Sequence, residues 1–138
     1  MKRGTLLNPA LSRLVATLGH GDLVVVADAG LPIPPSVERI DLAYAPGRPP
    51  FLDVLDALLA ELEVERATVA AELSRASPAA FAAALEARLL ALPRVARRGL
   101  DVVAHEELKR LTVQARAVVR TGEFTPYANV VLWSAVVF

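Results

Sequence analysis

Short apolar runs alternate along the chain with stretches whose apolar residues recur at helical spacing. The run 23–27 is valine-rich and bounded by turn residues, which is typical of a strand covered on both faces. The same criteria predict strands at 39–43, 64–71, 100–104, 117–120 and 130–137. Helical spacing predicts helices at 9–18, 51–62, 78–92 and 106–111, with 93–99 as a basic, exposed link. Strands alternating with helices predict an α/β domain built in layers.

Composition limits the class of protein. The 138 residues, 54% of them apolar, suffice for one domain spanning 1–138 with a substantial core. No apolar run approaches the roughly 20 residues that cross a bilayer, so the excess apolar surface is expected inside the domain or between subunits. The formal net charge of zero argues against nucleic-acid binding. The chain has no cysteine, which excludes thiolate chemistry, and no apparent secretory signal, so we expect a cytoplasmic protein.

Four polar residues could carry chemistry or serve structure. Asp28 stands where the first strand ends, and ligands of open α/β sheets gather at such ends; it could equally cap the following turn. His20 lies between two glycines. A histidine side chain can both donate and accept a proton, so His20 could exchange protons or be a plain surface residue. His105 could likewise be a polar residue beside a helix start. Asp22 is expected to be structural.

The polar cluster 120–129 lies between two predicted strands. Tyr127 and Asn129 offer a hydroxyl and an amide that suit a polyhydroxylated ligand, although a long ordered hairpin turn would contain similar residues. The chain contains no dinucleotide fingerprint, Walker motif or nucleophile elbow. The spacing of His20, Asp22 and Asp28 matches no strong metal motif.

These segments together resemble the D-ribose pyranase family, within the ribose and fucose mutarotases. The matching segments are MKRGTLLN at 1–8, LGHGD at 18–22, DAGLPIP at 28–34, HEELK at 105–109 and the cluster 120–129. The resemblance implies a single three-layer α/β/α domain with a mostly parallel mixed sheet. It also implies a homodecamer of two stacked pentameric rings and conversion of β-D-ribopyranose to β-D-ribofuranose without cofactor or metal.

The same resemblance assigns roles to six residues. His20 falls on the family's proton donor. The residues that fall on its sugar-binding positions are Asp28, His105, Tyr127, Ala128 and Asn129, with Ala128 acting through its backbone. Opening a sugar hemiacetal needs a proton delivered to the ring oxygen while another leaves the anomeric hydroxyl. A histidine, which can both donate and accept a proton, suits that task.

Two other functions remain open. One is an L-fucose-type mutarotase, although Leu31-Pro32-Ile33-Pro34 resembles the ribose branch more closely. The other is a non-catalytic, sugar-binding accessory protein of ribose uptake, which would not need a proton donor. Whatever the function, the apolar stretch 130–138 predicts a last strand that is buried. Trp133 and Phe138 are expected in the core or at a subunit interface. A neighbouring subunit could then complete the sugar site.

Overall fold

The computed structural model describes residues 1–138 and contains six helices and six strands. In chain order these are α1 (Pro9–Thr17), β1 (Leu23–Ala27), β2 (Glu38–Asp41), α2 (Phe51–Leu59), β3 (Val64–Ala70), α3 (Glu72–Ala76), α4 (Ala79–Leu90), α5 (Pro93–Arg98), β4 (Asp101–Val103), α6 (His105–Thr112), β5 (Ala115–Arg120) and β6 (Val130–Ser134).

All six strands belong to one sheet, in the order β2-β5-β1-β6-β3-β4. The pairs β1–β5, β2–β5 and β3–β4 are parallel, whereas β6 runs antiparallel to both β1 and β3. The mostly parallel mixed sheet predicted from the sequence is therefore confirmed. Because β6 is reversed, its first residues lie at the same edge as the carboxyl ends of the other five strands.

Alternate residues of the buried strands serve two separate cores. Val24 and Val26 of β1 face a large core that includes Phe51 of α2 and Leu85 of α4. The residues that follow each of them, Val25 and Ala27, face a smaller core closed by α6 and the extended segment after β1. Helices thus cover both faces of the sheet, which confirms the three-layer α/β/α fold.

Several local predictions were wrong. The stretch predicted as an exposed link forms helix α5, because Pro93 suits a first helical turn and Val95 is completely buried beneath its arginines. Helix α3 was not predicted. The last strand ends at Ser134, and Phe138 is 96% exposed, so a core position for Phe138 is wrong. The segment 121–129 is no hairpin turn, since β1 lies between β5 and β6.

None of the helices combines the length and the apolar character that crossing a bilayer requires.

Candidate active site

A cleft of about 630 Å³ opens at the carboxyl edge of the sheet, and we call it the strand-end cleft. It lies where β1, β4 and β5 end and β6 begins, which is where ligands of α/β sheets commonly bind. Its lining residues are Asp28, Ala29, Gly30, Leu31, Pro32, His105, Lys109, Arg120, Glu123, Phe124, Thr125, Pro126 and Tyr127. Three of the residues singled out from the sequence, Asp28, His105 and Tyr127, therefore line one cavity.

Asp28 and Asn129 hold each other through reciprocal hydrogen bonds. The Asp28 backbone N–H donates to Asn129 Oδ1 over 3.0 Å, and Asn129 Nδ2 donates to Asp28 Oδ2 over 2.9 Å. The other oxygen, Asp28 Oδ1, accepts the Gly30 N–H at 2.9 Å. Asp28 thus caps its turn, as the structural interpretation predicted, and also lines the cleft. Asn129 is completely buried and acts from behind Asp28.

His105 and Tyr127 form one wall of the cleft. Their rings meet edge to face, with centroids 5.0 Å apart and planes at 87°. His105 is the first residue of α6, and its backbone N–H donates to Glu72 Oε2 over 3.0 Å. Its ring Nδ1 is buried without a hydrogen-bond partner, an arrangement that is rare in folded proteins outside functional sites.

Tyr127 has a strained backbone. Its φ of 61° lies in the left-handed region, which side chains other than Gly, Asn and Asp rarely adopt. The Asn129 N–H donates to the Tyr127 carbonyl over 2.8 Å and closes the turn. Ala128, between them, is completely buried and its methyl group belongs to the large core. Any contact of Ala128 with a ligand must therefore come from its backbone.

Glu123 and Arg120 line the cleft although the sequence offered no reason to single them out from the polar loop. Glu123 accepts hydrogen bonds from the Phe51 N–H at 3.3 Å and from the Thr125 hydroxyl at 2.8 Å. Burial alone would raise the pKa of Glu123, but these donors and the Thr125 and Phe124 N–H groups outweigh it and lower that pKa. Arg120 donates to the Ala29 carbonyl at 3.0 Å and pairs with Asp41 at 3.0 Å.

His20 lies at the opposite edge of the sheet, in the loop 19–22 that enters β1, here called the His20 loop. Asp28 follows β1, whose five residues rise roughly 3.3 Å each, so roughly 16 Å of strand separates the two positions. The His20 side chain is 61% exposed, and its Nε2 lies 2.8 Å from Glu65 Oε2. Within one chain, then, the structure does not bring His20 to the strand-end cleft.

The His20 loop is firmly anchored even though it is exposed. The Asp22 carboxylate accepts hydrogen bonds from the Gly19 N–H and from the Arg116 Nε–H, each at 2.8 Å. The pKa of Asp22 is lowered, and the largest cause is the hydrogen bond from Gly19. The Gly21 N–H donates to the Ser134 carbonyl, and the Ser134 N–H donates to the Asp22 carbonyl, both at 2.9 Å. The structural role predicted for Asp22 is thereby confirmed.

His20 also borders a smaller cavity of about 260 Å³. The chain end forms part of its wall, including Val137 and Phe138, which are 85% and 96% exposed. No group of three or more His, Asp or Glu side chains converges in the structure as a metal site would require.

The fold and the strand-end cleft are those of a three-layer α/β protein with a polar cavity at the carboxyl edge of its sheet. A sequence model of the RbsD / FucU transport protein family matches residues 1–137. The chain belongs to this family, which confirms the resemblance inferred from its motifs.

Three relatives illustrate the similarity. A protein of Paracidovorax citrulli named D-ribose pyranase is 57% identical over 139 residues, and one of the same name from Variovorax paradoxus is 51% identical. Each alignment covers 100% of both chains. The structure of Bacillus subtilis RbsD complexed with D-ribose superposes with a TM-score of 0.89, at 44% identity, over 100% of both chains.

Proposed function

We propose that this chain is a D-ribose pyranase, an isomerase that interconverts β-D-ribopyranose and β-D-ribofuranose. The observation that carries the proposal is the full-length identity of 51–57% to proteins named D-ribose pyranase. The strand-end cleft supports it, because a carboxylate, an imidazole and a phenol converge there, which suits the hydroxyl groups of a pentose. The Bacillus subtilis relative, 44% identical, was solved with D-ribose.

In this proposal Asp28, His105 and Tyr127 hold the sugar, the Ala128 backbone adds a contact, and Asn129 fixes Asp28 from behind. The reaction itself needs only proton transfers. Protonated His20 gives its proton to the ring oxygen as the bond from that oxygen to C1 breaks. The anomeric hydroxyl loses its proton to water and becomes the aldehyde carbonyl.

Ring closure reverses this transfer with a different hydroxyl. The 4-hydroxyl oxygen attacks C1 and gives its proton to neutral His20, while the carbonyl oxygen takes a proton from water. His20 is then protonated again, so the cycle consumes nothing. No cofactor or metal enters these steps.

The separation of His20 from the strand-end cleft supports a site shared between subunits. We propose a homodecamer of two pentameric rings, located in the cytoplasm, in which the His20 edge of one subunit faces the cleft of its neighbour. Exposed apolar side chains lie on both surfaces: Val137 and Phe138 beside His20, and Phe124, 68% exposed, at the cleft. Contact between subunits would cover them.

Saturation-transfer NMR on D-ribose tests the activity. The parent protein should speed exchange between the pyranose and furanose signals. We expect His20→Ala to lower this exchange by about 10²-fold or more, the usual contribution of a positioned acid–base group, while the fold remains intact. Parent-like exchange in that variant would refute the role of His20.

Mixed oligomers test the shared site. His20→Ala and Asp28→Asn chains, co-expressed with different tags and purified through both, should recover about one quarter of the parental sites if each site takes His20 and Asp28 from different subunits. If both residues came from one chain, no mixed assembly would contain an intact site. Light scattering on the parent should give the mass of a decamer.

The family description also names transport, which favours a second candidate, a sugar-binding accessory protein without catalysis. That function predicts ribose binding without acceleration of exchange, and unchanged binding in His20→Ala. The exchange measurement above separates the two functions.

A further inference from the structure

Glu65 is the hydrogen-bond partner of the His20 ring. No motif in the sequence singled Glu65 out. Its Oε2 lies 2.8 Å from His20 Nε2, and the Glu65 side chain is 34% exposed. The other ring nitrogen of His20, Nδ1, makes no hydrogen bond in the structure. A carboxylate has only acceptor oxygens, so the contact requires a proton on Nε2.

The backbone around Glu65 is irregular at this position. Val64 pairs with Ser134 and Arg66 pairs with Trp133, so two steps along β3 oppose one step along β6, and Glu65 is the extra residue of a bulge. Bulges redirect a side chain that regular pairing would point elsewhere, and they are common beside active sites.

A second bulge lies on the other side of the His20 loop. Leu23 pairs with Ala115 and Val24 with Ala117, which leaves Arg116 as the extra residue of β5. Arg116 uses this position to donate to Asp22, which in turn holds Gly19. The two strand irregularities thus aim one side chain at the base of the His20 loop and another at its imidazole.

We propose that Glu65 is a positioning residue for His20, an inference that rests on the proposed function. Its carboxylate accepts the Nε2–H and thereby fixes the tautomer and the orientation of the ring, so that Nδ1 is the nitrogen that exchanges protons with the sugar. A hydrogen bond at one imidazole nitrogen decides which nitrogen is free for chemistry. The proton passes from Nδ1 to the ring oxygen and returns to Nδ1 from the hydroxyl that closes the new ring, while the Nε2 proton stays in place.

A merely structural ion pair makes a different prediction. Exposed pairs contribute little to stability, so loss of such a pair would leave both the fold and the chemistry nearly unchanged. A positioning role instead predicts that loss of the Glu65 carboxylate lowers the turnover rate and leaves the stability of the fold nearly unchanged. Glu38 provides the matched control, because it forms an exposed ion pair with Arg13 and lies on the edge strand β2, which β5 separates from β1.

The kinetic test compares Glu65→Ala, Glu65→Gln and Glu38→Ala by saturation transfer over a range of ribose concentrations. We expect Glu65→Ala to lower kcat at least about tenfold, a part of the 10²–10⁴-fold that a positioned acid–base group supplies, with KM within about twofold. Glu65→Gln keeps an acceptor oxygen and should fall between Glu65→Ala and the parent. Glu38→Ala should match the parent, and all three should melt within a few degrees of it.

The spectroscopic test uses magic-angle-spinning NMR of sedimented protein labelled with ¹⁵N-histidine, without sugar, well above the ordinary histidine pKa of about 6.5. The chain has two histidines, and His20→Ala assigns their signals. The parent His20 should show only the Nε2–H tautomer, whereas Glu65→Ala should show both tautomers.

Three results would overturn the inference, and they are distinguishable. Parent-like kcat in Glu65→Ala beside an inactive His20→Ala would remove the role of Glu65 and leave the proposed function standing. The same tautomer mixture in parent and Glu65→Ala would do so too. Parent-like exchange in His20→Ala would remove the catalytic role of His20 itself, and the inference with it.

Discussion

Replacing Asn129 by alanine should destabilise the domain substantially, because this buried side chain joins the start of β6 to the end of β1. The substitution removes a hydrogen bond from the Asp28 N–H, worth about 1 kcal/mol, and one to the Asp28 carboxylate, worth about 2 kcal/mol. The sum is about 3 kcal/mol. For a domain of this size, that loss lowers Tm by about 10 °C.

Thermal unfolding followed by circular dichroism measures this change. All samples should have the same protein concentration, since oligomer formation makes Tm depend on concentration. Thr68→Val serves as the matched control. Thr68, on β3, is also a completely buried polar residue, but its Oγ1 has no hydrogen-bond partner. Removing an unpartnered hydroxyl while keeping the shape should raise stability by about 1 kcal/mol.

The two variants therefore differ in the sign of their effect, although both remove one buried polar group. The reasoning would be refuted if Asn129→Ala lost less than about 1 kcal/mol, since the reciprocal bonds with Asp28 would then have no energetic weight. It would also be refuted if Thr68→Val were as destabilising as Asn129→Ala. Burial alone, and not hydrogen bonding, would then decide the outcome.

Further substitutions test the cleft and its supports. Asp28→Asn and Tyr127→Phe should each weaken ribose binding at least about tenfold, because each removes a polar partner; calorimetry giving parental affinity in both would reject the cleft as the sugar site. Because the pKa of Glu123 is lowered on folding, its charged form stabilises the fold above its unfolded pKa near 4.5, and this contribution is lost as the pH falls through the folded pKa. Glu123→Gln should therefore be less stable than the parent at neutral pH and approach it in acid, and a gap that is constant from neutral to acid pH in denaturant titrations would contradict this. Gly122→Ala would place its Cβ against the Arg48 carbonyl oxygen and should cost about 1–3 kcal/mol of stability, whereas an unchanged Tm would show that the 45–49 loop moves freely.

Patterns that depend on neighbours in sequence were predicted well. The run Leu23–Ala27 is apolar on both faces because both faces of β1 are covered. Helix α1 begins at Pro9, as helical spacing predicted, and Asn8 Oδ1 accepts the Leu11 N–H at 3.1 Å. Helix α5 was missed because its three arginines mask one buried valine. Helix α3 is a five-residue turn with a single buried leucine, too short for periodicity to show.

Features that depend on strand order were not predictable in the same way. The segment 121–129 reads as a hairpin connection, and only the placement of β1 between β5 and β6 makes it a crossover that carries Glu123 and Tyr127 over the cleft. In the sequence, Glu65 looks like an ordinary charged residue of a predicted strand, and Arg116 lies just before one. Their contacts arise from bulges, which are set by pairing between strands distant in sequence.

The separation of His20 from Asp28 follows from the sheet itself. Both residues flank the same strand, and a strand of any useful length sends its two flanking loops to opposite edges, so no side chain near residue 20 can reach a ligand bound beyond residue 27. The chain has two histidines, and His105 is the one that lines the cleft. The cleft also carries Phe124, an apolar side chain that is exposed in the single chain. If His20 carries the proton, a second subunit must supply it. Assembly is then a condition of catalysis, and dilution that separates the subunits should abolish exchange while each chain keeps its fold.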